Sequence, residues 1–260
     1  MGVPPKVRCR YRLNRMLIIK STEEIAIMRK CGRILAAILD RLRAEIRSGI
    51  KTDYLDTIVA EESERRGVIP SFKNYRGFPA NLCVSVNDEI VHGIPGARIL
   101  EEGDIVSVDV GARLDGFHTD AAITVGLGQI GREAEELISA TEVALKAGIA
   151  QARCGVSLTN ISSAIQHYVE SRGFSVVREY TGHGLGRELH EDPQVPNFVA
   201  GKDLLLRRGM TLAIEPMVNA GDWRTKVAPN QWTVQTADGS LSAHFEHTIA
   251  IGDDEAEILA

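Results

Sequence analysis

A chain of 260 residues with 44% hydrophobic and 25% charged positions can fill one large core or two smaller ones, which excludes an intrinsically disordered protein. Its formal net charge of -5 excludes a nucleic-acid binder of the ordinary kind, because such a protein needs a basic surface to neutralise phosphates. No apolar run approaches the roughly 20 residues of a membrane span.

The first fifteen residues carry Lys6, Arg8, Arg10, Arg12 and Arg15 and no acid. They are expected to form a flexible basic tail, either upstream sequence ahead of a start at Met16 or a segment that docks on RNA or another anionic surface. The apolar residues 16–19 that follow are too few for a secretory signal. The four cysteines, at positions 9, 31, 83 and 154, have neither zinc-finger nor C-x-x-C spacing. They fit reduced thiols in a cytosolic compartment.

Ser21 and Glu24 spell the S-x-x-E of a capping box, and Met28, Leu35, Ile38, Leu39, Leu42 and Ile46 recur at helical spacing, predicting a long amphipathic helix up to Gly49. A second helix is predicted from Thr52 or Asp53 to a glycine cap at Gly67, burying Leu55, Ile58 and Val59. Strands follow. Residues 105–110 and 117–125 flank the turn pair Asp115-Gly116 as a hairpin. A four-residue loop over 113–116 would set Asp109 directly opposite Asp120, with Cβ atoms about 4.5 to 5.5 Å apart.

The chain also contains itself twice. At an offset of about 106 residues Arg47 and Gly49 fall on Arg153 and Gly155, Glu64, Arg66 and Gly67 on Glu170, Arg172 and Gly173, and Gly103 on Gly209. The same offset places Asp109 on Glu215. The expected fold class is therefore α+β, with two pseudo-symmetric halves, about 16–130 and 131–260, each packing a helix pair on a curved antiparallel sheet within one domain over 16–260. In the second half the chain is expected to turn at Asp238-Gly239 into a single last strand over 240–251.

Two like charges paired across a hairpin need compensation. Either Ser107 and Asp109 mark a wet strand face where water screens them, or a cation sits between them. The second reading gains weight from Glu215, held extended by Pro216, from Glu246 on the less apolar face of the last strand, and from His183, set between glycines that let its backbone pass close to neighbours. One imidazole with four carboxylates suits Mn²⁺, Fe²⁺ or Co²⁺, and Zn²⁺ less typically. Four ionised carboxylates match the charge of two divalent ions, and without metal at least one should take up a proton.

The stretches NLCVSVNDEIVHGIP, DVGARLDGFHTD, YTGHGLGRELHEDP, IEPMV and WTVQTADGSLSAHFEHT resemble those of the bacterial-type, type I methionine aminopeptidases, metallopeptidases of the pita-bread fold. The resemblance runs from about Leu17 to the C-terminus. It implies that Asp109 binds one metal, that His183 and Glu215 bind the other, and that Asp120 and Glu246 bridge the two. It further implies two divalent ions (Co, Mn, Fe or Zn), a bridging hydroxide that attacks the first peptide carbonyl, and Glu215 as the proton shuttle. His190 would stabilise the oxyanion and His92 would hydrogen-bond the scissile amide. Tyr75, Phe78, Cys83 and Trp232, with Phe72 beside them, would make the methionine pocket, although plain core packing is the alternative for each.

The implied function is excision of the initiator methionine from nascent cytoplasmic proteins with a small second residue, by a monomer that contacts the ribosome at most transiently and binds neither membrane nor specific nucleic acid. Two alternatives are an Xaa-Pro aminopeptidase-like hydrolase, which typically carries a further N-terminal domain, and a non-catalytic peptide- or RNA-binding protein of the same fold, whose mark would be missing ligands. Residues 1–15 lack the paired cysteines and histidines of a zinc-finger extension, and residues 221–231 follow no pattern that places them.

Overall fold

The capping box at Ser21 forms in both directions, the Glu24 amide donating to Ser21 Oγ and the Ser21 amide to the Glu24 carboxylate. This fixes the start of α1 (Thr22–Glu45), which buries Met28, Leu35, Ile38, Leu39 and Leu42. The helix ends at an extended Ile46, a turn short of Gly49. Helix α2 (Thr52–Arg66) stops at Gly67, whose φ of 69° is the left-handed cap conformation. The structure is a computed structural model that describes residues 17–200 and 203–260. The basic tail expected over residues 1–15, with Met16 and Cys9, lies outside the described residues.

The elements that follow α2 are β1 (Ile69–Pro70), a 3₁₀ turn (Tyr75–Gly77), β2 (Cys83–Val86), β3 (Glu89–Val91), β4 (Ile105–Leu114), β5 (Phe117–Gly126), α3 (Arg132–Ile149) and α4 (Leu158–Glu170). Short strands complete the chain: β6 (Ser175–Val176), β7 (Gly182–Gly184), β8 (Glu191–Val195), β9 (Thr211–Ile214), β10 (Met217–Asn219), β11 (Thr225–Val227), β12 (Val234–Thr236), β13 (Ser242–His244), β14 (Glu246–Ile251) and β15 (Ala256–Ile258). The large antiparallel sheet runs β1-β4-β5-β14-β9-β7-β8, with β2 also on β4 and β15 also on β14. Two small sheets, β13-β10-β6 and β11-β12-β3, lie beside it. Helix α1 packs on β4 and β5 while α3 pairs with α4, and one hydrophobic core joins all four helices to the sheet.

The 106-residue offset recurs in the backbone. Gly49 donates to Leu100 O as Gly155 donates to Leu206 O, Leu100 to Ile50 O as Leu206 to Val156 O, and the bridge Lys51–Ile99 matches the bridge Ser157–Leu205. The glycine pairs 49/155, 67/173 and 103/209 all have positive φ, which explains why glycine persists at these positions in both copies. Each helix pair is thus tied by the same bonds to the segment leading into its own strand, β4 or β9.

Two sequence expectations need correction. Strands β4 and β5 run further than predicted and leave a two-residue loop, Asp115-Gly116, with φ of 48° and 84°. Positive φ at both positions is the type I′ turn that matches strand twist, and it displaces the expected four-residue loop. Asp109 therefore opposes Ala122, and Asp120 opposes Gly111. The acids are diagonal neighbours on one face rather than a direct pair. That face is not wet: Ser107 is 3% exposed and shares a hydrogen bond of 2.8 Å with Thr124.

The expected single last strand over 240–251 breaks at Phe245, with β13 in a small sheet and β14 in the large one. Its partner breaks at the same level, because Pro216 has no amide to continue the ladder between β9 and β10. The registers Ile214↔His247 and Met217↔His244 carry Glu215 and Glu246 opposite each other where both strands change sheets.

Gly32 on α1 tests the packing of the chain end. A Cβ there would lie 1.8 Å from the Leu259 carbonyl oxygen. Gly32→Ala should cost roughly 1–3 kcal/mol by overpacking, read as a lower denaturant midpoint at unchanged m-value.

Candidate metal centre

Five consecutive strands of the large sheet, β4, β5, β14, β9 and β7, each bring one predicted ligand to the same place: Asp109, Asp120, Glu246, Glu215 just beyond β9, and His183. Asp120, His183 and Glu246 offer ligand atoms that all lie within 4.8 Å of one another. His183 Nε2 stands 3.5 Å from Glu215 Oε1, and the Asp109 and Asp120 carboxyls are within hydrogen-bonding reach. Local chemistry holds each in place. The Asp120 amide donates to Thr248 Oγ1 (2.8 Å) and that hydroxyl donates back to the Asp120 carbonyl (2.7 Å). His183 lies between Gly182 and Gly184, where an added Cβ would stand 2.3 Å from Ala213 O and 2.4 Å from Asp192 O respectively.

The electrostatics follow from burial. Asp109 is pushed up to about 7 by loss of solvent. Asp120, Glu215 and Glu246 are raised well above the usual carboxylate range, first by burial and then by their anionic neighbours. His183 is pulled down to about 4 by burial, so its ring is neutral at physiological pH. Its Nδ1 hydrogen-bonds the Gly184 carbonyl at 2.9 Å, which places the proton on Nδ1 and leaves the Nε2 lone pair facing the acids. Asp109 Oδ1, Asp120 Oδ1 and Glu246 Oε1 are buried with no hydrogen-bond partner among the described residues. Buried carboxylate oxygens without donors are costly, and divalent cations satisfy them while cancelling the repulsion. The donor set fits such ions.

The remaining predicted residues surround this centre. The His190 ring lies 4.2 Å from that of His183, is stacked at 5.2 Å on Tyr75, and shares a hydrogen bond of 2.9 Å between Nδ1 and the Tyr75 hydroxyl. It keeps an exposed edge. Loss of solvent, then the nearby His183 and Arg76, hold it neutral. His92 has a φ of 60°, a strained conformation for a non-glycine residue, and its ring meets Tyr180 edge-on at 5.8 Å. Phe72, Phe78 and Cys83 form one apolar cluster with Tyr75 and Trp232 packed on it. Cys83 is the cross-strand partner of Asp109, which sets the cluster against the acids.

Sequence reasoning missed several neighbours. Ala80, Leu189 and Ile94 belong to the same apolar cluster, and an apolar Leu189 beside His190 in a glycine-rich loop was the available signal. Asn197 donates from Nδ2 to the Glu215 carbonyl at 3.0 Å. His244 is buried near Glu215 and looked like an ordinary strand residue. Residues 221–231 include β11, which pairs with β12, and Asn230 Oδ1 accepts from the Trp232 amide.

The model of metallopeptidase family M24 matches residues 26–253. A methionine aminopeptidase of Clostridium perfringens is 53% identical over 94% of this chain and 98% of its own length, and methionine aminopeptidase 1 of Bacillus subtilis is 51% identical over 94% and 99%. The chain belongs to the methionine aminopeptidases of family M24. The crystal structure of methionine aminopeptidase from Thermotoga maritima superposes with a TM-score of 0.92 at 48% identity, covering 94% of this chain and 99% of that one. An Xaa-Pro dipeptidase from Bacillus anthracis shares the fold, with a TM-score of 0.75 at 21% identity, but only 61% of that chain is covered. The pita-bread, α+β fold class expected from the sequence holds. Among the described residues no helix is long and apolar enough to cross a membrane.

Two predictions follow from the geometry of this methionine aminopeptidase. Gly182→Ala should displace His183 and weaken Mn²⁺ binding by roughly 10-fold or more, the cost of disturbing a ligand's support, measured by calorimetric titration. The second concerns pH. In the metal-free protein Asp109 keeps its proton to about 7, against 3.8 for the unfolded carboxyl, so the folded state binds more protons in that window and its stability falls as pH rises through it. Asp109→Asn removes this penalty. Its metal-free Tm should gain on wild type as pH rises from about 4 to 7, and with saturating Mn²⁺ at pH 7.5, roughly half a unit above the window, it should melt below wild type.

Proposed function

We propose that this methionine aminopeptidase works as a cytoplasmic monomer on nascent chains with a small second residue, touching the ribosome transiently, and that Asp109, Asp120, His183, Glu215 and Glu246 are its metal ligands. In this reading the four carboxylates and the Nε2 lone pair of His183 would hold the ions. Two divalent ions (Co, Mn, Fe or Zn) supply Lewis acidity and a water acidified enough to act as nucleophile near neutral pH. The observation that carries the reading is the convergence of three partnerless carboxylate oxygens beside an apolar cluster tied to them through the Cys83–Asp109 pair.

The chain's own groups then divide the work. The pocket of Phe72, Tyr75, Phe78, Cys83 and Trp232 takes the first side chain, its aromatic faces and sulfur suiting a thioether. His190 Nδ1 shares a hydrogen bond of 2.9 Å with the Tyr75 hydroxyl, and with that hydroxyl as donor the proton of the neutral ring would be on Nε2, where it would meet charge developing on the carbonyl oxygen. His92, held by its strained backbone and by Tyr180, would hydrogen-bond the scissile amide or the leaving group. Glu215 takes a proton from the attacking water and delivers it to the leaving amine.

Metal-free, Mn²⁺-loaded and Co²⁺-loaded protein should be given Met-Ala-Ser, Met-Leu-Ser and an Xaa-Pro peptide. Cleavage of Met-Ala-Ser alone, dependent on metal, is expected. Cleavage of the Xaa-Pro peptide alone, or of none under any metal, would refute the reading. Asp120→Asn should lower kcat/KM by roughly 100-fold or more, the low end for removing a charge-stabilising group.

A further inference from the structure

The Glu215 carboxylate is bracketed by two imidazoles. His183 Nε2 stands 3.5 Å from Oε1, and His244 Nε2 stands 3.9 Å from Oε2. The His183 side is absorbed by the metal centre, whereas the His244 side has no role so far. His244 sits in β13 at 1% exposure, and its Nε2 is buried with no hydrogen-bond partner among the described residues. Buried polar nitrogens are seldom left bare. The Glu215 Oε2 it faces at 3.9 Å is about 0.7 Å beyond hydrogen-bonding range.

We propose that His244 is a positioning residue for Glu215, its Nε2–H holding Oε2 and thereby keeping Oε1 turned toward His183. The proposal deepens the reading of Glu215 as ligand and proton carrier, and rests on it. An ionised carboxylate can only accept, so the contact selects the imidazole tautomer with its proton on Nε2. With Oε2 tethered, the carboxylate cannot rotate both oxygens toward the ions, and one remains free to receive and release a proton. The main chain of Glu215 is already fixed by Asn197 Nδ2 on its carbonyl (3.0 Å) and by Pro216 after it, so side-chain rotation is the freedom left to restrain.

The backbone of His244 does not depend on its ring. Its amide donates to Thr124 Oγ1 (2.9 Å), the same hydroxyl donates to its carbonyl (2.7 Å), and it pairs in register with Met217. Substitution of the side chain should therefore leave the strand in place. Two variants test the idea: His244→Leu, which removes the donor, and His244→Gln, whose amide N–H₂ reaches about as far as Nε2. Each is titrated calorimetrically with Mn²⁺ alone, assayed on Met-Ala-Ser and melted.

The expected result for His244→Leu is one Mn²⁺ bound roughly 10–100-fold more weakly and kcat reduced by a similar factor, as for other supports of metal ligands, with KM little changed. His244→Gln should recover most of both. Wild-type Mn²⁺ affinity and kcat in His244→Leu would overturn the proposal. So would a loss that His244→Gln fails to recover, which would assign the ring to packing. The Mn²⁺ titration needs no peptide, so if the wild type cleaves nothing the functional reading falls while the role of His244 is still decided.

Discussion

The structure is organised around four carboxyl groups confined in a buried space, where burial raises the proton affinity of all four and neighbouring carboxylates raise that of Asp120, Glu215 and Glu246 further. A fold that merely wanted stability would place such groups on its surface. Here they are brought together by four adjacent strands of one sheet, β4, β5, β14 and β9, so their separation is set by strand spacing and not by flexible side chains alone. Three of their oxygens have no hydrogen-bond donor among the described residues, a cost that divalent cations held there would offset.

The sheet is modified where these groups lie. Around the pair Glu246↔Ala122 two threonines replace ladder bonds reciprocally: Thr248 of β14 clamps the amide and carbonyl of Asp120, while Thr124 of β5 clamps those of His244. A hydroxyl that both donates and accepts can span a gap the two backbones cannot close. One level further on, β9 and β14 separate from β10 and β13, opening the space that Glu215, Glu246 and His183 occupy.

Much of this was legible in the residues. Capping at Ser21, termination at Gly67 and the 106-residue repeat are local chemistry or self-similarity, and they appear in the structure as sequence patterns describe them. Of the candidate ligands, Glu246 opens β14, Glu215 lies just beyond β9 and His183 sits between glycines, whereas Asp109 and Asp120 lie within β4 and β5 and are read from their shared face. What could not be read was register. A turn of two residues instead of four shifts the pairing of Asp109 from Asp120 to Ala122 while keeping both acids on one face, since a shift of two preserves side-chain alternation. The break at Phe245 was equally hidden, because no glycine or proline marks it in residues 240–251 and the cause lies on the neighbouring strand at Pro216. His244 escaped notice for the same reason: a histidine in a strand declares nothing until its neighbours are known.

The duplication places Asp109 and Glu215 in equivalent positions, yet the two halves treat them differently, and the difference bears on chemistry. Asp109 lies inside a ladder, with Cys83 of β2 on one side and Ala122 of β5 on the other. Glu215 lies outside any ladder, between β9 and β10, followed by a proline that cannot donate. The first acid is fixed and the second sits at a joint. A group that only holds an ion benefits from the first environment. A group that must also carry a proton benefits from the second, provided something limits its swing, and Asn197 on its backbone and His244 beside its outer oxygen are placed to do that. The equivalent positions of the two halves thus differ in whether the ladder continues through them.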